Sequence, residues 1–264
     1  MEQVMSNNPP SANDPGQPPA TGTSTITSVD LPTPSIALAI GAHPDDVEFG
    51  CGGTLAKWAA DGCTIHHLVL TDGSKGTWNP DADKVALVAT RRDEQREAAR
   101  RLGSRGEVVF LDQVDGELES SLTLRGAVAR EIRRLRPDVV LGHDPWKRYR
   151  LHPDHRHAGI LTCDAIVAAR DPHFFREHGL PHHRPSTLLL WEADEADHGE
   201  DVSGSLATKI DALMAHESQF ESTMKAVDQA ALERFRSRIE KRAGELGQRI
   251  GRGAAELFKK IGDL

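Results

Sequence analysis

Residues 42–48, Ala42-His43-Pro44-Asp45-Asp46-Val47-Glu48, follow directly on the apolar run Ile36-Ala37-Leu38-Ala39-Ile40 and precede Phe49-Gly50-Cys51-Gly52-Gly53-Thr54-Leu55. A short apolar run bounded by turn residues reads as a buried strand. His43, Asp45 and Asp46 therefore stand where a strand ends, and the glycines where a helix opens. Pro44 fixes its own φ and biases His43 away from helical geometry, which keeps the turn extended. In open α/β sheets, ligands collect in the crevice beyond the carboxyl ends of the strands. One imidazole and two carboxylates so close together offer two metal ligands and a free base to a common point.

The alternation continues outward from this stretch. A helix is expected over about 52–60 with Gly62 as its stop, then a strand over 64–70 ending in the polar loop 71–78. A charged amphipathic helix over 85–102 is closed by Gly103. Strands over 107–111 and 138–142 flank a helix over 122–135, and a helix from Pro153, a favoured first-turn residue, runs to about 169. After a His- and Pro-rich loop over 171–185 comes a strand over 187–191. Strands alternating with helices of this length imply an α/β fold with a mostly parallel sheet and right-handed crossovers.

Three segments are expected. Residues 1–32 are rich in Pro, Ser, Thr, Asn and Gly with few large apolar side chains, a composition that reads as disordered. Residues 33–225 form the main domain, with helical spacing again over 206–220. Residues 226–264 form a charged C-terminal helical extension, running from about 230 with glycine interruptions, which either covers the domain or mediates self-association into a homo-oligomer.

Composition narrows the function classes. The chain of 264 residues has a formal net charge of −8, a pI near 5.9 and a mean hydropathy of −0.47. That argues against a nucleic-acid partner, which favours a basic surface. No apolar run reaches the ~18 residues of a membrane span, and the N-terminus lacks the basic and apolar regions of a signal peptide. Cys51, Cys63 and Cys163 are odd in number and without CxxC spacing, as expected of reduced thiols in a cytoplasmic protein.

A second cluster, His152-Pro153-Asp154-His155, lies at another strand end and helix start. Two loops at adjacent strand ends can meet over the sheet. His43, His155 and one of the two Asp then give three ligands, the pattern of a catalytic metal with an open position. Such an ion would polarise a carbonyl and acidify a bound water; the remaining Asp suits a general base, and His152 a general acid or oxyanion donor. Taken singly, each motif also fits a plain turn or a helix start with Asp154 on the helix dipole; two such motifs at strand ends favour the metal site. His66, His67, His173, His178, His182 and His183 read as packing or surface residues. Lys75, Trp78, Trp146 and Arg148 are candidates to touch substrate, and Arg91-Arg92-Asp93-Glu94 reads as a charged helix face with i,i+3 pairs.

With both motifs in hand, the chain resembles the PIG-L/LmbE-like family of zinc-dependent N-deacetylases. The resemblance rests on Ala42-His43-Pro44-Asp45-Asp46 with Glu48, on Gly52-Gly53-Thr54-Leu55, on Thr71-Asp72-Gly73, on Arg91 and Glu94 before Leu102-Gly103, and on His152-Pro153-Asp154-His155. It covers about residues 36–166. It implies a Rossmann-like three-layer sandwich and hydrolysis of the acetamide of a soluble N-acetylated amino sugar, an N-acetylglucosamine-type glycoside. Carried over by position, it makes His43, Asp46 and His155 the ligands of Zn2+, Asp45 the base, and His152 the residue that stabilises the intermediate and protonates the amine. Iron(II) is an alternative ion for the same donors. Some members have Glu directly after the second Asp; here Val47 intervenes, and Glu48 is expected to support the site from behind or to be structural. The rival readings are an amidase cleaving a larger amide such as a mycothiol S-conjugate, and a non-catalytic sugar- or nucleotide-binding module. A two-metal phosphoesterase is disfavoured, because few carboxylates remain for a second ion.

Overall fold

The computed structural model describes residues 24–264, so the part of the expected disordered tail before Ser24 lies outside the described residues. The apolar run becomes β2 (Ile36–Gly41), and its side chains alternate between two cores. Leu38 and Ile40 pack into one, Ala37 and Ala39 into the other, as period-2 geometry requires of a strand covered on both faces. The neighbouring strands β3 (Thr64–Thr71), β4 (Val108–Gln113), β5 (Val139–His143) and β6 (Thr187–Trp191) match the expected runs closely. All pair in parallel, in the order β4-β3-β2-β5-β6.

Helices α1 (Asp46–Ala60), α2 (Lys84–Arg101) and α5 (Leu206–Leu213) cover the Ala37/Ala39 face, with Leu55, Trp58, Ala98, Leu102 and Ala212 in that core. Helices α3 (Leu122–Leu135) and α4 (Pro153–Arg170) cover the other, through Val128, Ile132, Leu161 and Ala165. This is the expected three-layer α/β sandwich. Among the described residues no helix is long and apolar enough to cross a membrane.

The two ends of the chain differ from expectation. Within the tail expected to be disordered, Ser28–Val29 form β1, which pairs in parallel with β7 (His198–Asp201). Ser28 Oγ lies 2.8 Å from His198 Nδ1, and the Leu31 amide donates to the buried Glu200 carboxylate. At the other end, α6 (Gln229–Gln248) stops before Gly251, which adopts φ +68°. The chain then returns as β8 (Ala255–Gly262), antiparallel to both β6 and β7. A single helix to residue 264 is thus corrected to a helix, a glycine turn and a strand. Helix α6 covers the domain: Phe235 packs edge-on against Phe49 at 6.0 Å, within a cluster that includes Met224 and Ala231.

Strand β8 also holds α1 together. The helix breaks at Cys51 (φ −148°, ψ 16°) and resumes at Gly52, leaving amides of a new first turn without intrahelical partners. Glu256 of β8 supplies them: it accepts from Gly53 N (2.9 Å), Thr54 N (2.8 Å) and Lys209 Nζ (2.6 Å). Replacing Glu256 by Ala strands a buried lysine and two amides and should cost roughly 3–5 kcal/mol, read from the urea midpoint. Glu256→Ala combined with Lys209→Met should recover part of that loss, and equal stability of Glu256→Ala and the parent would contradict this account.

Candidate metal and catalytic site

The order of strands reverses between β2 and β5. The chain leaves β2 for α1 on one face of the sheet and leaves β5 for α4 on the other, which opens a crevice at their carboxyl ends. Residues 42–46 enter it from β2. His143, the last residue of β5, and the loop to α4 enter it from the other side. At the start of α4, Pro153 occupies the first turn, and His152 is the capping residue but makes no capping hydrogen bond, so its ring is free. His43, Asp45, Asp46, His143, His152 and His155 line one cavity of about 560 Å3, within the range of small-molecule sites.

His43, Asp46 and His155 each bring a donor atom within 4.8 Å of the others. His155 Nε2 lies 3.2 Å from Asp46 Oδ1 and 3.3 Å from His43 Nδ1. His43, His152 and Asp154 also converge within 4.8 Å, but Asp154 is already committed. It is fully buried and accepts from the Gly116 and Leu118 amides, and its Oδ2 lies 3.0 Å from His43 Nε2. Asp115 Oδ1 stands 3.2 Å from the same nitrogen. With Nε2 facing carboxylates, His43 turns Nδ1 toward Asp46 and His155. A histidine whose far nitrogen is held by a carboxylate is the usual support of a metal-ligating imidazole. Two imidazoles and one carboxylate in this setting fit Zn2+ or a similar ion.

Asp45 precedes α1 with φ +104°, a conformation that costs energy in a residue with a Cβ,. Its amide donates to Gln95 Oε1 (2.9 Å), and Arg91 holds the turn by donating to Pro44 O (2.6 Å) and Gly73 O (2.9 Å). Burial pushes the Asp45 carboxyl up to about 6, opposed by Arg91, 3.7 Å away, and reinforced by Asp46. For Asp46, burial acts in the same sense, but His155 and His143 outweigh it and hold the group well below the usual carboxylate range. His43 is the mirror case: burial opposes its charge, yet Asp115, Asp154 and Asp46 lift it well above an ordinary imidazole. Carboxylates and imidazoles thus balance one another across the crevice, around a donor set that could hold a cation. His155 is sandwiched between His143 and His152, with ring centroids 4.4 and 4.7 Å away.

All five expected site residues therefore meet in one place. Glu48 is buried behind it, accepting from Gln95 Nε2 (2.8 Å) and facing His216 Nε2 (3.3 Å). The charged-face reading of 91–94 needs correction. Arg91 is buried in the site, Glu94 accepts from Ser218 N and Oγ, and of these four residues Asp93 makes an i,i+3 pair, with Arg96. Lys75 and Trp78 line the cavity, whereas Trp146 and Arg148 do not. Sequence reasoning missed His143, Asp115, Gln95 and His216. His143 and Asp115 had a signal, a polar residue at or just past a strand end. Gln95 shares a helical face with Arg91, Ala98 and Leu102, while nothing local marks His216.

A family model described as PIG-L: GlcNAc-PI de-N-acetylase matches residues 38–166. A diacetylchitobiose deacetylase of Thermococcus kodakarensis is 37% identical over 186 residues, 69% of each chain. A 1D-myo-inositol 2-acetamido-2-deoxy-alpha-D-glucopyranoside deacetylase of Rhodococcus jostii is 32% identical over 158 residues, 50% of this chain and 53% of that protein. Among solved structures, an N,N'-diacetylchitobiose deacetylase from Pyrococcus horikoshii, complexed with its inhibitor MPG, is similar with a TM-score of 0.79. It is 30% identical, over 87% of this chain and 84% of that one. The site motifs fall inside the matched residues, and the likeness in fold extends well beyond them: the chain belongs to the PIG-L family of de-N-acetylases.

Proposed function

We propose that this protein is a zinc-dependent deacetylase that hydrolyses the acetamide of a soluble N-acetylglucosamine-type glycoside to a free amine and acetate. The observation that carries the reading is the convergence of a three-donor set, a buried carboxylate and a free imidazole on one cavity at the sheet's switch point. His43, Asp46 and His155 are the ligands in this reading. Zinc held there would polarise the acetyl carbonyl and make water a nucleophile at neutral pH.

The chain's own groups do the rest. Asp45 accepts a proton from the attacking water as its oxygen bonds to the acetyl carbon. His152 donates a hydrogen bond to the oxygen on which charge develops and gives that proton to the nitrogen as the C–N bond breaks, and the proton taken by Asp45 then restores it. Arg91 and Gln95 keep Asp45 in its strained turn, so the base is in place before substrate arrives. The relatives that act on diacetylchitobiose and on an inositol glycoside support a soluble N-acetylated sugar. Three unpaired cysteines accord with a cytoplasmic setting,.

The direct test is amine release from diacetylchitobiose and from N-acetylglucosaminyl inositol by the purified protein. Turnover should vanish on chelation and return with zinc; zinc bound without amine from either substrate would sink the reading. Asp45→Asn should keep its zinc and lose about 10²–10⁴-fold in kcat. Gln95→Leu, which unpins the Asp45 amide and leaves Glu48 short of a donor, should lower kcat by about 10-fold or more with little change in KM. Stopped-assay kinetics with zinc content measured in parallel distinguish these losses from simple loss of metal.

A further inference from the structure

His143 takes no part in the steps above, yet its contacts are specific. It is buried at the end of β5, where the parallel register sets it beside Trp191 of β6. The Trp191 indole N–H, which can only donate, points to His143 Nδ1 at 3.1 Å. Arg150 Nη1, also a donor only, approaches the same nitrogen at 3.2 Å. Nδ1 is therefore an acceptor, and the ring proton resides on Nε2, which faces Asp46 Oδ2 at 3.2 Å. The Ala42 amide approaches Nε2 at 3.3 Å. Moving the proton to Nδ1 to suit that one amide would set two donors against an N–H and a carboxylate oxygen against a lone pair.

We infer that His143 is a positioning residue for Asp46: held by Trp191 as the Nε2–H tautomer, it donates to Oδ2 and so reserves Oδ1 for the metal. Oδ2 takes two donors, the His43 amide at 2.7 Å and His143 Nε2, and also lies 3.3 Å from His43 Nδ1, a ligand candidate. Among the described residues the polar partner of Oδ1 is His155 Nε2, itself a ligand candidate. One oxygen is thus saturated and the other open, which favours binding through a single oxygen and prevents the carboxylate from rotating away. The indole is fixed by α1, since a Cβ on Gly50 would fall 2.5 Å from the Trp191 ring. The inference rests on the metal reading above and adds to it the device that orients the carboxylate ligand.

The test is zinc affinity of the purified protein, by competition with a chromophoric chelator. The protonation of each His143 nitrogen is read in parallel from long-range 1H–15N correlations in the zinc-free protein. His143 should carry its proton on Nε2. His143→Leu should bind zinc about 10- to 100-fold more weakly. His143→Gln, whose amide can donate from near the Nε2 position, should recover most of that loss. Trp191→Phe should show a smaller loss and a mixture of tautomers. Unchanged affinity in His143→Leu, a proton on Nδ1, or His143→Gln as weak as His143→Leu would each overturn the inference while leaving the metal reading standing. A parent protein that binds no zinc overturns both. If His143→Leu does not fold, the tautomer and the other two variants decide the matter.

Discussion

Five carboxylates, Glu48 and the aspartates 45, 46, 115 and 154, are buried in or behind one crevice, none more than 9% exposed. Unpaired charge in such a place is prohibitive, so the surrounding structure is largely a scheme for compensating it. Asp154 takes two backbone amides and His43. Asp115 takes the Lys75 amide and His43. Glu48 takes Gln95 and His216, and Asp45 has the guanidinium of Arg91. Asp46 differs: beyond the His43 amide its partners are three imidazoles, of which His43 and His155 also face each other. That is where a cation could complete the compensation, among three donor atoms within 4.8 Å of one another.

Arg91 shows how one compensating group shapes two loops. Its guanidinium passes between the turn after β2 and the turn after β3, donating to Pro44 O and Gly73 O. A Cβ at Gly73 would lie 2.7 Å from Arg91 Nη1, and the residue has φ +67°. The glycine of Thr71-Asp72-Gly73 is therefore required both by its backbone and by the buried arginine it admits. A sequence motif on one loop and an arginine on a helix are parts of one contact.

The central strands and helices were legible because each pays out a clear signal: apolar runs of strand length, helical spacing, and glycine or proline at the ends. The candidate ligands were legible because they cluster at strand ends, where the ladder stops and side chains can converge. Three features were not. β7, His198-Gly199-Glu200-Asp201, is a polar strand buried by pairing, with no apolar alternation to announce it. β8 mixes Lys, Glu and apolar residues in a way that continues the charged pattern of α6, and its partners are distant in sequence. The outer supports, Gln95 and His216, act through one or two hydrogen bonds each, for which a sequence carries no periodic signature.

A division of labour follows from where these residues come from. Residues 38–166 bring the side chains that converge in the crevice, His43, Asp45, Asp46, His152 and His155, and with them Arg91, Gln95 and His143. The segment after them adds outer supports and part of the wall: Trp191 beside His143, His216 behind Glu48, Glu256 under the broken helix, and Gln219, Ser222 and Thr223 on the cavity wall. Chemistry needs only a few atoms at a strand end, and a short motif can supply them. Holding those atoms to a fraction of an ångström, and shaping the space a sugar would enter, needs contacts from elements far along the chain.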